Sequence, residues 1–321
     1  MTTPLVTAMN CVTISCPEPN RLVNLMADGC GWEVFCEGAI DSNLERTWGI
    51  AAGSAGDRFT IVSSKNFDRG MIRVVEGPER IRNSPMSTRW SGIEIVVSED
   101  LLGLCRNLER HPDFDVVKPV NEADFTHAGA NVHTFFHGRT PGLTHAMFTM
   151  AVTQPETYAF PETENHVGHI FDVHLDVDNT GNSRNFYDET IAMDMIFDDM
   201  LKDGLFYDTW DLDPALPDVR MSIFKGDASG FGLGGIEMRS YDQSLMDPTP
   251  PVPERLDGGC CITSFTTKNI DAVFDAVSNS PDATVITEPE SSDTGPYGGG
   301  KVFAFLGPEG ERVEMCENWV S

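Results

Sequence analysis

Residues 171–178 read FDVHLDVD, in which apolar and polar side chains alternate. Such alternation is typical of a β-strand with one face against a core. Residues 183–194 follow with SRNFYDETIAMD and predict a helix, and residues 234–242, GGIEMRSYD, predict a strand that leaves a glycine turn. The stretch therefore predicts a unit in which an opening strand is followed by a helix and then by further strands.

Three other stretches of the chain repeat this plan. The opening strands and helices are CVTISC (11–16) with NRLVNLMADG (20–29), IEIVVSED (93–100) with LLGLCRNLER (101–110), and CITSFTT (261–267) with NIDAVFDAVSNS (269–280). The closing strands are GMIRVVEG (70–77), the less regular THAMFTMAV (144–152), and GERVEMCENW (310–319). The chain is therefore predicted to contain four similar units.

Segments rich in proline and polar residues separate these units, which is typical of linkers. A unit of roughly 70 residues cannot bury both faces of its sheet, so we expect the units to pair. We predict two domains and a linker: an N-terminal domain 1–152 with modules at about 8–78 and 88–152, a linker 153–165, and a C-terminal domain 166–321 with modules at about 166–243 and 257–320.

The charge of the chain excludes some classes of partner. Its 321 residues include 22 basic and 50 acidic side chains, for a net charge of −28. Such an acidic surface does not attract nucleic acid or an anionic membrane. The N-terminus does not resemble a secretory signal, no apolar run approaches the ~18 residues of a membrane helix, and the eight cysteines include no CxxC pair. We therefore expect a soluble cytoplasmic protein, and the oligomeric state stays open, with a homodimer among the options.

Residues 306–317, LGPEGERVEMCE, resemble the closing motif of the vicinal oxygen chelate superfamily, which includes glyoxalase I, bleomycin resistance proteins and extradiol dioxygenases. Residues 174–194 are similar to the opening strand and helix of that family. The resemblance covers all four units in plan and the last two in recognisable residues. In the family, two βαβββ modules form one cup with a metal or substrate site inside. The resemblance thus implies an α+β fold of four βαβββ modules paired into two cupped mixed sheets.

Strand parity indicates which side chains of the third unit face its cup. The apolar set, which should pack against the helices, is Phe171, Val173, Leu175 and Val177. The opposite face then carries Asp172, His174 and Asp176, which would be costly to bury unless they meet water, a metal or one another. A solvent-exposed edge strand is the alternative.

Parity also turns Glu237 and Glu314 inward, where the family places its metal-binding glutamate. The resemblance gives Asp172 the position of the first-strand ligand, whereas the matching residue of the fourth unit, Ile262, cannot bind a metal. We therefore expect a metal site of Asp172, Glu237 and Glu314 with His174 nearby. This donor set favours Mn²⁺ or Mg²⁺ and leaves Fe²⁺ or Zn²⁺ open.

A competing register starts from Gly168 and His169, which resemble the Gly-His pair that introduces a ligand histidine in extradiol dioxygenases. It would turn Asp172, His174 and Asp176 toward the helices. Desolvating these carboxylates would cost several kcal/mol each unless they were paired. We therefore favour the register that places Asp172 in the cup.

The N-terminal cup is predicted to lack a metal because Arg73 occupies the position of the closing-strand glutamate. Its other matching positions are Cys11, Gly92 and Ala146. An inward arginine beside Glu94 could bind a substrate carboxylate, and an internal Arg73–Glu94 pair that only fills space is the alternative.

Seven of the eight histidines lie between His127 and His174. His133 and His137 belong to VHTFFHG, which predicts a strand, so they would lie ~13 Å apart and could not share an ion. A shared site of His145 and His166 near the junction of the cups is one interpretation, and scattered surface histidines are the favoured one. Glycines 230–235, GFGLGG, match a dinucleotide fingerprint but precede a strand, so a hairpin is favoured.

These observations favour a small-molecule enzyme of the lyase or isomerase kind, in which a divalent metal polarises an oxygen and His174 or Asp172 moves a proton. Arg73, Glu94 and Asp176 are candidate substrate-binding residues. A ring-cleaving extradiol dioxygenase is an alternative, weakened because residues 295–310, GPYGGGKVFAFLGPEG, contain no histidine.

A second alternative is a non-catalytic protein that binds and sequesters a small molecule, which the missing ligand at Ile262 would suit. The aromatic side chains that could line its pocket are Phe135, Phe136, Trp210 and Phe303.

Overall fold

The computed structural model describes residues 4–51, 54, 56–79, 89–126, 129, 132–153, 159–160, 163–178, 180–201, 219–227, 234–241, 244, 252 and 254–320. Within them lie seventeen strands and five α-helices, and each unit begins with the predicted strand followed by a helix. Among these residues no helix is long and apolar enough to cross a membrane.

The elements fall into four βαβββ units. Unit 1 contains β1 (Val6–Cys16), α1 (Pro19–Cys30), β2 (Glu33–Ala39), α2 (Ser42–Trp48), β3 (Arg58–Ser63) and β4 (Met71–Glu76). Unit 2 contains β5 (Arg89–Val97), α3 (Leu101–Leu108), β6 (Asp115–Asp124), β7 (Val132–Thr140) and β8 (Leu143–Thr153). Unit 3 contains β9 (Val167–Asp176), α4 (Thr180–Asn185) with a π-helical turn (Phe186–Thr190), β10 (Asp194–Leu201), β11 (Val219–Lys225) and β12 (Gly235–Ser240). Unit 4 contains β13 (Gly259–Thr267), α5 (Ile270–Ser278), β14 (Thr284–Val285), β15 (Glu290–Ser291), a 3₁₀ turn (Gly295–Tyr297), β16 (Lys301–Leu306) and β17 (Arg312–Cys316).

Local sequence signals set the ends of the helices. Proline opens α1, and Gly31 ends it with a φ of 70°, which glycine adopts at little cost. Side chains of Asp41, Asp100 and Asn269 cap α2, α3 and α5 by accepting a hydrogen bond from a backbone N–H of the first turn. The sequence pattern did not predict α2, which lies between β2 and β3.

The strands form two mixed sheets, which confirms the predicted fold class. One sheet has the order β14-β16-β17-β13-β1-β4-β3-β2, with β15 on β16, and the other has the order β10-β11-β12-β9-β5-β8-β7-β6. Unit 1 therefore shares a sheet with unit 4, and unit 2 with unit 3. The prediction that neighbouring units 1 and 2 form one cup, and units 3 and 4 the other, is wrong.

The opening strands explain this pairing. In each sheet the two units meet through antiparallel opening strands, β1 with β13 and β5 with β9. In the strand order, β9 lies beside β5 and β1 lies beside β13. The predicted boundaries 1–152 and 166–321 therefore cut each sheet between its halves.

One large apolar core lies between the two sheets and their helices. Val173, Leu175 and Val177 belong to this core, as strand parity predicts, together with residues of α1, α3 and α5. Phe171 differs: it joins an apolar cluster on the opposite face of the sheet. The reason is a register shift in the β5–β9 ladder next to the pair Glu94–Asp172.

Candidate functional site

Three buried polar side chains converge on one face of the sheet formed by units 2 and 3. Glu94 of β5, His174 of β9 and Glu237 of β12 each offer a ligand atom, and these atoms all lie within 4.8 Å of one another. Their exposed fractions are 2%, 0% and 5%. We call this face the central cup, and the face of the other sheet that carries Arg73 and Glu314 the terminal cup.

The strand order brings these side chains together. Strand β9 lies between β5 and β12, and Glu237 is the register partner of His174. Asp172 is the register partner of Glu94 on the other side of β9. Side chains of directly paired residues share a face, so three adjacent strands present their polar groups to the same point.

The hydrogen bonding within this group is incomplete. His174 Nε2 lies 3.7 Å from Glu94 Oε2. In the described part of the chain, both ring nitrogens of His174 and Oδ1 of Asp172 are buried without a hydrogen-bond partner. Glu94 accepts a hydrogen bond from Thr149. Buried polar atoms without partners are costly, so a ligand that satisfies them would stabilise the site.

The central cup also carries more acid than base. Four carboxylates are buried there, those of Glu94, Asp172, Asp176 and Glu237, beside the guanidinium of Arg239. Burial, reinforced by neighbouring Glu237, raises the pKa of Glu94 to about 8 and that of Asp172 well above its ordinary value. Burial likewise lowers the pKa of His174 well below its ordinary value. A divalent cation would supply the missing positive charge.

The donor set fits such a cation. Two carboxylates and one imidazole suit Mn²⁺, Fe²⁺ or Zn²⁺. The nitrogens of His174 accept or donate no hydrogen bond within the described residues, so this ring is available to coordinate. Glu94, His174 and Glu237 are thus the residues that could hold a metal ion.

The terminal cup has a different chemistry at the equivalent positions. The guanidinium of Arg73 donates hydrogen bonds to Thr13 Oγ1 (2.9 Å), Ser264 Oγ (3.0 Å), the Tyr297 hydroxyl (2.7 Å) and Glu314 Oε1 (3.1 Å). Trp48 donates to the other oxygen of Glu314, and its ring stacks on Arg73 at 4.6 Å. Arg73 and Glu314 have no exposed surface. The guanidinium thus fills the space in which the central cup gathers its carboxylates.

Strand register makes the comparison of the two cups explicit. Each closing strand runs parallel to the opening strand of its own unit, and the four paired positions are Thr13 with Arg73, Glu94 with Met147, His174 with Glu237, and Ser264 with Glu314. In the central cup, three of the four positions carry a hard or borderline donor, and Met147 is the exception. In the terminal cup, the four side chains are joined by hydrogen bonds of the arginine itself.

The structure therefore divides the predicted metal site. Glu237, Asp172, His174 and Asp176 lie in the central cup, whereas Glu314 lies in the terminal cup against Arg73. An Arg73–Glu94 pair is not formed, because Glu94 belongs to the other sheet.

Glu94 is the one residue of the group Glu94, His174 and Glu237 that the sequence-based prediction placed in a different cup. The alternation in IEIVVSED turns it to the same face as Gly92, but its neighbours depend on β5 pairing with β9. The sequence contains a signal for this residue, because Glu94 lies two residues after Gly92 just as His174 lies two residues after Asp172.

The expectation of scattered surface histidines is wrong for three of them. His137 and His145 are buried in the central cup, where their ring nitrogens Nδ1 and Nε2 lie 2.7 Å apart. His169 is buried outside the cup and stacks on Phe67 with ring centroids 3.8 Å apart. The favoured register is therefore confirmed, since Asp172 and His174 face the cup and His169 does not.

Apolar side chains surround the polar group of the central cup. Ile223 and Met221 are the register partners of Glu237 and Arg239, and they belong to a cluster that includes Val96, Phe171, Phe197 and Tyr241. Phe135 and Met147 form a smaller cluster on the other flank. Of the aromatic residues predicted to line a pocket, Phe136 and Phe303 lie in the main core and Trp210 lies outside the described residues.

No family model and no curated protein matches the sequence. Solved structures do match the fold. Glyoxalase I from Zea mays superposes with a TM-score of 0.61 at 12% identity, over 97% of this chain and 92% of that one. A Bacillus subtilis protein with a provisional dioxygenase assignment superposes with a TM-score of 0.63 at 10% identity, over 99% and 86% of the two chains. The fold expected from the sequence is thus confirmed, and the chain has the fold of these glyoxalase I and dioxygenase-type structures, with four βαβββ units in two mixed sheets.

Proposed function

We propose that the protein is a metal-dependent enzyme that acts on a small molecule in the central cup, with Glu94, His174 and Glu237 as the metal ligands. The observation that carries this proposal is the convergence of three buried ligand atoms within 4.8 Å of one another. Two further observations support it: the surplus of buried carboxylates, and the two nitrogens of His174, which have no hydrogen-bond partner in the part of the chain that the structure describes.

The proposed chemistry is proton transfer of the lyase or isomerase kind. A bound divalent cation would act as a Lewis acid toward adjacent oxygens of the substrate. Asp172 lies beside Glu94 in the sheet, and among the described residues its Oδ1 has no hydrogen-bond partner. With a cation bound nearby, the ionised form of Asp172 would be favoured, and Asp172 could then accept a substrate proton at this oxygen and return it. His174, which the sequence offered as a base or a ligand, is assigned to the metal.

The lining of the cup suggests the character of the substrate. Ile223 and Met221 lie beside Glu237 and Arg239 on the same face, and Phe171 precedes Asp172 and His174 on β9. We propose a substrate with two neighbouring oxygens at one end and an apolar body at the other, since the apolar cluster would pack against such a body.

Ring cleavage of a catechol is the second candidate, and one observation favours it. The ring of His145 lies 4.9 Å from the ring of His174, centroid to centroid. The sequence-based argument against a dioxygenase was that no histidine precedes the closing motif of the fourth unit. The metal-binding group lies in the other sheet, where His145 precedes the closing-strand position of Met147 by two residues.

The test uses a glutamate from each cup. We expect one equivalent of Mn²⁺, Fe²⁺ or Zn²⁺ per chain by elemental analysis after loading and gel filtration. Glu237→Gln should abolish this uptake, whereas Glu314→Gln, at the equivalent position of the terminal cup, should retain it. Turnover is then assayed with hemithioacetals of 2-oxoaldehydes and with catechols, which represent the two candidate reactions.

Two results would contradict the proposal. A folded wild-type chain that takes up no metal would remove the mechanism, and equal loss of metal in both variants would place the ion elsewhere. A chain that binds an apolar ligand equally well with and without Glu237 would instead support sequestration. Near-UV circular dichroism checks that each variant keeps its packing.

A further inference from the structure

A chain of buried polar contacts leads away from Glu237 across the central cup. The Nε of Arg239 donates to Glu237 Oε1. The Nη1 of Arg239 lies 3.2 Å from His145 Nδ1, and His145 Nε2 lies 2.7 Å from His137 Nδ1. All four side chains are buried. These hydrogen bonds connect β12 to β8 and β7, and β9 and β5 lie between them in the sheet.

The chemistry of the guanidinium fixes the direction of every hydrogen bond in this chain. Arginine has donors and no acceptor, so Nδ1 of His145 must accept from Arg239. A neutral His145 then carries its proton on Nε2 and donates it to Nδ1 of His137. His137 in turn carries its proton on Nε2. Burial lowers the pKa of His137 to about 3, which agrees with a neutral acceptor.

The chain cannot serve as a route for protons to the ligand group. Arg239 lies between His145 and Glu237, and its guanidinium does not release a proton at ordinary pH. What the chain can do is hold the plane of the guanidinium, and through it the carboxylate of Glu237. Partners of this kind set the orientation of metal ligands.

The terminal cup supports a role tied to the metal-binding group. The residue two positions after Glu314 is Cys316, which corresponds to Arg239, and the residue two positions before Arg73 is Met71, which corresponds to His145. Neither can form such a chain. The arginine and histidine therefore occur in the cup that gathers the three ligand atoms, and the cup filled by Arg73 carries apolar or thiol groups instead.

We propose that His145 is a positioning residue, which His137 holds in one tautomer and which orients Arg239 and thereby the Glu237 ligand. The inference rests on the proposed function in the role it gives to Glu237. The tautomers themselves are a property of the metal-free protein and can be measured without any ligand.

The first measurement is the tautomeric state of the histidines in the wild-type chain. Long-range ¹H–¹⁵N correlation spectra of histidine-labelled protein distinguish Nδ1–H, Nε2–H and imidazolium forms, and single His→Asn variants assign the signals. We expect neutral Nε2–H forms for both His145 and His137. An Nδ1–H tautomer or an imidazolium at His145 in the folded protein would overturn the proposal.

The second measurement is the affinity for Co²⁺, followed by its visible absorption and by competition with a chelator. His145→Leu removes the acceptor for Arg239 and should lower the affinity 10- to 100-fold, with a changed d–d spectrum. In His145→Asn the amide oxygen can replace Nδ1 as acceptor, so part of the affinity should return. The matched control is His169→Leu, because His169 is buried outside the cup against Phe67, and it should leave affinity and spectrum unchanged.

The outcomes separate the two proposals. If the wild type binds Co²⁺ and folded His145→Leu binds it equally well with the same spectrum, the positioning role is wrong and the proposed function stands. If the wild type binds no metal, the proposed function is wrong, and the role of His145 in orienting a metal ligand is wrong as well. Equal losses in His145→Leu and His169→Leu would reveal a general packing effect and would also contradict the positioning role.

Discussion

Glu237 and Glu314 occupy equivalent register positions on closing strands, yet their surroundings differ. Glu314 faces Arg73 and accepts further hydrogen bonds from Ser264, Tyr297 and Trp48, so its charge is matched within the fold. Glu237 has Arg239 but shares its cup with three further carboxylates, Glu94 on β5 and Asp172 and Asp176 on β9. The same residue type thus completes a closed ion pair in one sheet and leaves an excess of negative charge in the other.

This excess predicts an unusual effect of a single substitution. Glu94→Gln keeps the shape of the side chain and an oxygen that can accept from Thr149, and it removes one buried acid. We expect the metal-free protein to gain about 1–3 kcal/mol of stability at pH 7. Burial raises the pKa of Glu94 to about 8, so folding must protonate a carboxylate that is ionised in the unfolded chain. We also expect the stabilisation by added Mn²⁺ or Zn²⁺ to disappear. Thermal unfolding with and without metal measures both effects.

The control for this substitution is Glu122→Gln, on the exposed side of β6. It should change stability by less than about 0.5 kcal/mol and keep the response to metal. A Glu94→Gln protein that is less stable without metal than the wild type would show that the carboxylates of the central cup are already compensated.

A second residue-scale prediction concerns the closing motif. Burial raises the pKa of Glu311 from its ordinary 4.5 to about 7, and the Tyr187 hydroxyl donates to Glu311 Oε1 at 2.7 Å. The folded state then binds this proton more tightly than the unfolded chain does. The contribution of Glu311 to stability is therefore greatest below about pH 4.5 and falls as the pH rises to about 7, by about 3 kcal/mol.

Glu311→Gln should remove this loss. Urea unfolding of the variant and the wild type between pH 4.5 and 8 gives the difference in free energy of unfolding at each pH. We expect this difference to shift in favour of the variant as the pH rises through the window, and to level off above it. A difference that is constant with pH would show that Glu311 titrates normally in the fold.

At the scale of the element, strand parity was sufficient for the side chains of a single strand. It placed Asp172, His174 and Asp176 on the cup face of β9, and the structure agrees. It failed at Phe171, because a register shift between strands cannot be read from one strand alone. The closing motif was recognised by its resemblance to the family motif and not by strand parity. Its loop carries Glu309, which accepts from Ser183 at 2.8 Å and so connects units 3 and 4.

The elements of the terminal cup give a third prediction, on the buried ion pair. Arg73→Met removes one partner and leaves Glu314 buried without its guanidinium, which should cost about 3–5 kcal/mol. The double variant Arg73→Met with Glu314→Leu removes both charges and should recover more than half of that loss. Urea unfolding of the wild type, both single variants and the double variant gives the coupling energy.

Arg58→Met is the control, since this side chain of β3 is 71% exposed and its contact with Glu37 is at the surface. It should cost less than about 0.5 kcal/mol. The double variant could instead lose as much free energy of unfolding as the two single variants added together. In that case Arg73 and Glu314 are not coupled, and the apolar residues stabilise the terminal cup.

At the scale of the molecule, the pairing of the units could not be predicted from the sequence. Each opening strand has one apolar face and one free edge, so the pairings 1 with 2 and 3 with 4, or 1 with 4 and 2 with 3, bury similar surface. Nothing in the alternation of β1 distinguishes β5 from β13 as its neighbour. This choice decides which glutamates meet, and it explains why Glu237 and Glu314, predicted to share one site, lie in different sheets.

The topology predicts which part of the chain can fold and bind by itself. Residues 89–241 contain both units of the central cup, with β5 paired to β9 and the three ligand atoms present. We expect this fragment to unfold cooperatively and to bind Co²⁺, with lower stability than the full chain because it loses the core shared with the other sheet. Residues 1–152 contain β1 without β13 and β5 without β9, so two opening strands keep an unpaired edge. This second fragment should show no cooperative thermal transition by circular dichroism. If fragment 1–152 folds cooperatively and fragment 89–241 does not, the pairing of units seen in the structure is contradicted. The pairing of neighbours, unit 1 with unit 2 and unit 3 with unit 4, would then be supported.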